Sequence, residues 1–160
     1  MSANGPPYDA AQLSEMRARF LEDGVVLVRG LLRGHLPLLE SAIQAVVDKP
    51  SVMGANYGDK DNPESSFFSD YNNWRRHADV AKMVRLPEVV DTVRTLLDSD
   101  SLRIFHDHVL VKHGKAKETP WHHDQPYYLV DGPRNCSVWI TPDKVSVENS
   151  LIQTKITPPD

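Results

Sequence analysis

Apolar residues recur at helical spacing in three stretches of the chain and at alternating spacing in two others. Leu13, Met16, Phe20 and Leu21 form one stripe over residues 10–22, the i, i+3, i+4 pattern of a helix with one buried face. Asp9 stands where an N-cap belongs, and Gly24 where a helix stops. Leu38, Leu39, Ile43, Val46 and Val47 predict a second helix over 36–47. Val80, Met83, Val84, Val89, Val90, Val93, Leu96 and Leu97 predict a third over 79–97, interrupted near Pro87, because proline removes a helix N–H and clashes with the preceding turn. The continuous run Val25-Val26-Leu27-Val28, closed by Gly30, reads as a buried strand. Residues 49–74 mix Pro50, Gly54, Gly58, Asp59 and Pro63 with Phe67, Phe68, Tyr71 and Trp74. They read as a long irregular segment, either a lid or a loop pinned to the core by its aromatic rings.

Residues 102–112 alternate. Ile104, His106, His108, Leu110 and Lys112 share one face, and Phe105, Asp107, Val109 and Val111 the other. A second run, 135–141, sets Asn135, Ser137, Trp139 and Thr141 against Cys136, Val138 and Ile140. Period-two alternation predicts strands. Helices first and strands second point to an α+β or mainly β domain rather than an alternating parallel sheet.

Between these two runs lies Thr119-Pro120-Trp121-His122-His123-Asp124-Gln125-Pro126-Tyr127-Tyr128. Pro120 and Pro126 argue against a helix. On an extended segment His122 and Asp124 project together, and His123 points away. An imidazole nitrogen and a carboxylate oxygen are two of the three donors that hold non-haem Fe(II) while leaving positions open for a co-substrate and O2. A lone His-x-Asp is a weak signal; two flanking strands with mixed polar faces strengthen it, as walls of a small barrel would.

Length and charge narrow the setting. The chain has 160 residues, enough for a single domain over 1–160, and 40% apolar content sufficient for a core. A formal net charge of −4 with no basic cluster gives nucleic-acid binding no support. No apolar run is long enough for a membrane span and no signal-peptide pattern opens the chain, so a cytoplasmic protein is expected. Cys136 is the single cysteine; it excludes an internal disulfide and reads as a small core residue.

The stretch around His122, together with Phe105-His106-Asp107-His108-Val109-Leu110-Val111-Lys112 and the later Trp139-Ile140-Thr141 and Val145-Ser146-Val147-Glu148-Asn149, resembles the phytanoyl-CoA dioxygenase family. The opening Phe20-Leu21-Glu22-Asp23-Gly24 through Leu32 is a weaker part of the same likeness. The resemblance implies a double-stranded β-helix (jelly roll) with N-terminal flanking helices. It implies Fe(II), 2-oxoglutarate and O2, with ascorbate as a supporting reductant, acting on a small metabolite or acyl thioester. It makes His122 and Asp124 iron ligands, places Trp139 in the wall of the 2-oxoglutarate pocket, and gives Lys112 a looser role as a co-substrate contact.

The family continues with a distal histidine ligand and an arginine that pairs with 2-oxoglutarate. Here no histidine follows His123 and no arginine follows Arg134. The expectation is therefore a domain truncated at its C-terminal end, with a jelly roll left incomplete, marginally stable and prone to aggregate. The alternative function is a catalytically inactive remnant. A cupin-like site built on His106-x-His108 with Glu118 is a lesser alternative, and His108 as a hydrogen-bonded pocket residue is the simpler reading.

Overall fold

The computed structural model describes residues 8–58, 61–62, 64–114, 119–130, 132 and 134–145. Glu118, the stretch 146–149 and the tail through Pro158 and Pro159 lie outside the described residues. The described residues carry α1 (Ala10–Asp23), α2 (Leu36–Asp48), β1 (Ala55–Asn56), β2 (Ser66–Tyr71), α3 (Ala78–Met83), α4 (Pro87–Leu97) and β3 (His108–His113). Short 3-10 turns occur at Arg33–His35, Asn73–Arg75 and Gln125–Tyr127. Backbone contacts group the chain into two compact units. One holds Met1–Leu36, Leu86–Leu102 and Arg134–Asp160; the other holds Pro37–Arg85 and Arg103–Pro133.

In the first unit, α1 begins at a capping box. The Asp9 carboxylate accepts from the Gln12 N–H at 2.9 Å, and the Gln12 side chain accepts from the Asp9 N–H, so two otherwise unpaired donors are satisfied reciprocally. Gly24 ends the helix in the left-handed region at φ 69°. α1 packs against α4, and Arg17 reaches Asp98 at 3.3 Å. The break expected at Pro87 is real: α3 and α4 are separate helices, and proline opens the second, where its missing N–H costs nothing. The expected strand at 25–28 does not form a ladder; Val25 and Leu27 are exposed. Residues 135–141 likewise form no ladder among the described residues, with Val138 and Trp139 half-exposed. Alternation gives a segment two faces, but a strand exists only when a neighbouring backbone supplies its hydrogen bonds.

The second unit is built on an antiparallel sheet in the order β1-β2-β3. Its central strand, β2, falls inside the segment expected to be irregular. The register pairs Phe68 with Val111, Asp70 with Val109, Ser69 with Leu110 and Tyr71 with His108. Phe68, Val109 and Val111 face the core, which also takes Ala42 and Val46 of α2, Val80 of α3, and Trp74. Phe68 and Trp74 thus pack on the core, while Phe67 and Tyr71 lie on the opposite face of the sheet. The alternation expected over 102–112 holds for β3, but only its second half pairs; 101–107 runs extended without a ladder.

Two glycines are imposed by close approach. A Cβ on Gly54 would lie 2.7 Å from the Pro50 side chain and 3.4 Å from an Asp70 carboxylate oxygen. Gly114, which closes β3, has φ +61°, and a Cβ there would lie 2.4 Å from the Glu64 carbonyl oxygen.

Strands and helices are thus interleaved in sequence, yet the sheet is antiparallel, as an α+β protein requires. Among the described residues one three-stranded sheet is present, not the facing sheets of a jelly roll. Among the described residues, no helix is long and apolar enough to cross a membrane.

Candidate functional site

The His-x-Asp motif lies in the second unit, on a loop rather than on the expected strand. Residues 119–124 are irregular and lead into the 3-10 turn Gln125–Tyr127, where the Tyr127 N–H donates to the Asp124 carbonyl at 2.9 Å. Pro126 sits inside that turn, a correction to the expectation that it would bar helical backbone. A short first turn tolerates proline because its N–H has no partner to lose.

The loop still brings the two side chains together. His122 Nε2 lies 3.6 Å from Asp124 Oδ1, and both side chains are about half-exposed, at 47% and 45%. His122 Nδ1 lies 2.8 Å from the Pro120 carbonyl oxygen. A carbonyl can only accept, so Nδ1 carries a proton, and Nε2 is the ring nitrogen that faces the carboxylate. That is the arrangement of a metal-binding histidine, whose second ring nitrogen is held by a hydrogen bond that fixes tautomer and orientation. Two donors at right angles around an ion, with bonds of about 2.1 Å, stand roughly 3 Å apart. A small rotation of two half-exposed side chains closes the difference, so the pair fits two positions of a divalent ion. Without an ion, such an exposed pair stabilises the protein by little. Among the described residues, no group of three or more His, Cys, Asp or Glu side chains comes together.

Lys112 is tied to this loop. Its Nζ lies 3.1 Å from Thr119 Oγ1 and 4.6 Å from the centroid of the Phe67 ring. It anchors the start of the motif loop to the β2–β3 face. Trp139 belongs to the other unit, in the extended segment 135–141, and is 52% exposed.

The face of the sheet that carries Lys112 also carries His108, and here sequence reasoning missed its neighbours. The His108 ring stacks on Tyr71 with centroids 3.7 Å apart and an interplanar angle of 20°. Its Nε2 is 2.8 Å from Ser69 Oγ. The residue as a whole is exposed, but its ring is the covered part. Burial, reinforced by the His106 charge, lowers its pKa to about 4 against the opposing pull of Asp107 and Asp70. His108 is therefore neutral at physiological pH, a hydrogen-bonded face residue as the simpler reading had it. Tyr71 and Ser69 lie in the stretch read as irregular; the alternation of Phe67, Ser69 and Tyr71 against Phe68 and Asp70 was the signal that could have found them.

His106 continues the array: its centroid lies 5.8 Å from Tyr71, 5.2 Å from Phe105 and 5.0 Å from Tyr128. Tyr127 meets His122 edge-on at 6.4 Å. The rings run from the sheet to the motif loop.

A separate groove of about 210 Å³ lies in the first unit, lined by Tyr8, Gln12, Glu15, Met16, Arg19 and Val26 among others. Its lining holds no histidine beside a carboxylate.

The phytanoyl-CoA dioxygenase family model matches residues 20–150. The chain belongs to the phytanoyl-CoA dioxygenase family. This family is one of Fe(II)- and 2-oxoglutarate-dependent dioxygenases with a jelly-roll fold, so oxygenase chemistry is the general expectation for a member. Neither the curated proteins nor the solved structures give a match.

Proposed function

We propose that this phytanoyl-CoA dioxygenase family member is an Fe(II)- and 2-oxoglutarate-dependent hydroxylase of a small metabolite or acyl thioester, built on a jelly roll. The observation that carries the reading is the Pro120–His122–Asp124 arrangement, in which Nδ1 is committed to a carbonyl while Nε2 and a carboxylate oxygen converge. His122 Nε2 and Asp124 would hold the ion as two of its protein donors. Bound iron would supply O2 activation coupled to decarboxylation of 2-oxoglutarate. The chain's own residues do the remainder. The Pro120 carbonyl holds the His122 ring through Nδ1, and Lys112 holds the loop's origin against the sheet and offers a cation near the co-substrate. Trp139 as a wall of the 2-oxoglutarate pocket rests on the resemblance alone.

The competing reading is a family member that folds without turning over. It is favoured by the meeting of only two donors among the described residues. Anaerobic Fe(II) titration of the full chain, followed by measurement of succinate formed from 2-oxoglutarate under O2, separates the two. Turnover that disappears in His122→Ala and Asp124→Ala supports the dioxygenase. Iron binding with no succinate leaves the inactive reading, and Fe(II) affinity unchanged by His122→Ala removes the site.

A further inference from the structure

The rings around the candidate ligands outnumber what packing alone explains. Phe105 is 54% exposed although it touches both His106 and Tyr128, at 5.2 and 5.7 Å between centroids. Tyr127 is 72% exposed and contacts the His122 ring. Tyr128 is the next residue in the chain and lies against His106. One turn of 3-10 helix therefore joins the ligand pair to an aromatic surface that solvent reaches.

Resting on the dioxygenase reading, we propose that Phe105, His106 and Tyr128 form the prime-substrate wall of that site and receive a flat, uncharged aromatic or conjugated moiety. Three arguments select this occupant. Rings set at 5.0–5.7 Å with interplanar angles of 57°, 64° and 75° present both edges and faces to an incoming ring. The π-faces of Phe105 and Tyr128 carry negative electrostatic potential and repel a stacked carboxylate. The adjoining His108 ring is neutral near pH 7, and the Lys112 ammonium on the same face is engaged by Thr119 and the Phe67 ring. Tyr128 directly follows Tyr127, whose ring meets His122 edge-on at 6.4 Å, so the wall adjoins the motif loop.

The test uses the full chain, free of iron, with three probes of similar size: benzyl alcohol, cyclohexylmethanol and benzoate. Binding is followed by NMR shifts of the Phe105, His106 and Tyr128 ring protons. The expected result is ring-current shifts confined to these residues, with benzyl alcohol bound about 3- to 10-fold tighter than cyclohexylmethanol and benzoate weakest. His106→Ala weakens benzyl alcohol by about the same factor. Phe105→Leu, which keeps an apolar side chain at an exposed position, does so as well and covers the case in which His106→Ala perturbs folding. Equal binding of the flat and puckered alcohols, tighter binding of benzoate, or shifts that avoid these three residues overturns the proposal. Mn(II) affinity measured on the same samples reports on His122 and Asp124 separately: loss of metal binding with intact benzyl alcohol binding refutes the dioxygenase reading and leaves the ring surface standing.

Discussion

Replacing Asp70 by asparagine gives a direct test of what holds the second unit together. Asp70 sits on the central strand with its side chain wholly buried. It accepts from the Ser51 N–H at 2.7 Å, from the Ser51 hydroxyl and from the Tyr71 N–H at 2.8 Å, with Arg76 at 3.9 Å. Burial by itself would raise the Asp70 pKa. The hydrogen bonds from Ser51 and Tyr71 and the Arg76 charge outweigh it, so the carboxyl is held below its ordinary value. Asparagine keeps the shape but turns an NH2 toward N–H and O–H donors and removes the charge. One or two charge-assisted hydrogen bonds are lost, each worth roughly 1.5–3 kcal/mol, and a buried donor is left unpaired. The expected destabilisation is about 3 kcal/mol at pH 7.

The pH dependence follows from the depressed pKa. The stabilisation is complete above the unfolded-state value near 3.9 and is lost as pH falls through the lower folded value. Urea denaturation followed by far-UV circular dichroism at several pH values measures both effects. The wild-type chain loses stability below about pH 4, and the Asp70→Asn chain loses less of it over that range. Equal stability of the two chains at pH 7, or an identical slope below pH 4, would refute the reasoning.

Two further outcomes follow from burial. Val46 is fully buried in the core while Val52 is fully exposed; Val46→Ala should cost roughly 2 kcal/mol by the same denaturation assay, and Val52→Ser under about 0.5. NMR titration of His108 should give a midpoint near 4; because the folded value lies below that of the unfolded chain, its contribution to stability is full above about pH 6.5 and declines toward pH 4. A midpoint above 6 would show that the Tyr71 stack and the Ser69 bond do not shield the ring.

Local structure was legible wherever a local rule governs it. The capping box at Asp9, the stop at Gly24, the span of α2 and the break before Pro87 follow from side-chain and backbone chemistry within a few residues, so sequence alone located them. The two-faced character of β3 and the pairing of His122 with Asp124 were also readable, because spacing decides which side chains share a side. Membership of the phytanoyl-CoA dioxygenase family rests on the extended likeness around His122 and the match over residues 20–150. Strand formation was another matter. The apolar run 25–28 has strong β-propensity yet no ladder, whereas Ser66–Tyr71, broken by Ser69 and Asp70, became the central strand. Ladder hydrogen bonds come from residues distant in sequence; β2 is joined to β3 only after some thirty-six intervening residues fold back. The same long-range pairing set Tyr71 and Ser69 against His108. The sequence therefore determined the helices, their ends and the spacing of the candidate ligands His122 and Asp124. The tertiary structure decided which extended segments pair, and so which rings surround those ligands, because pairing depends on the whole chain's packing.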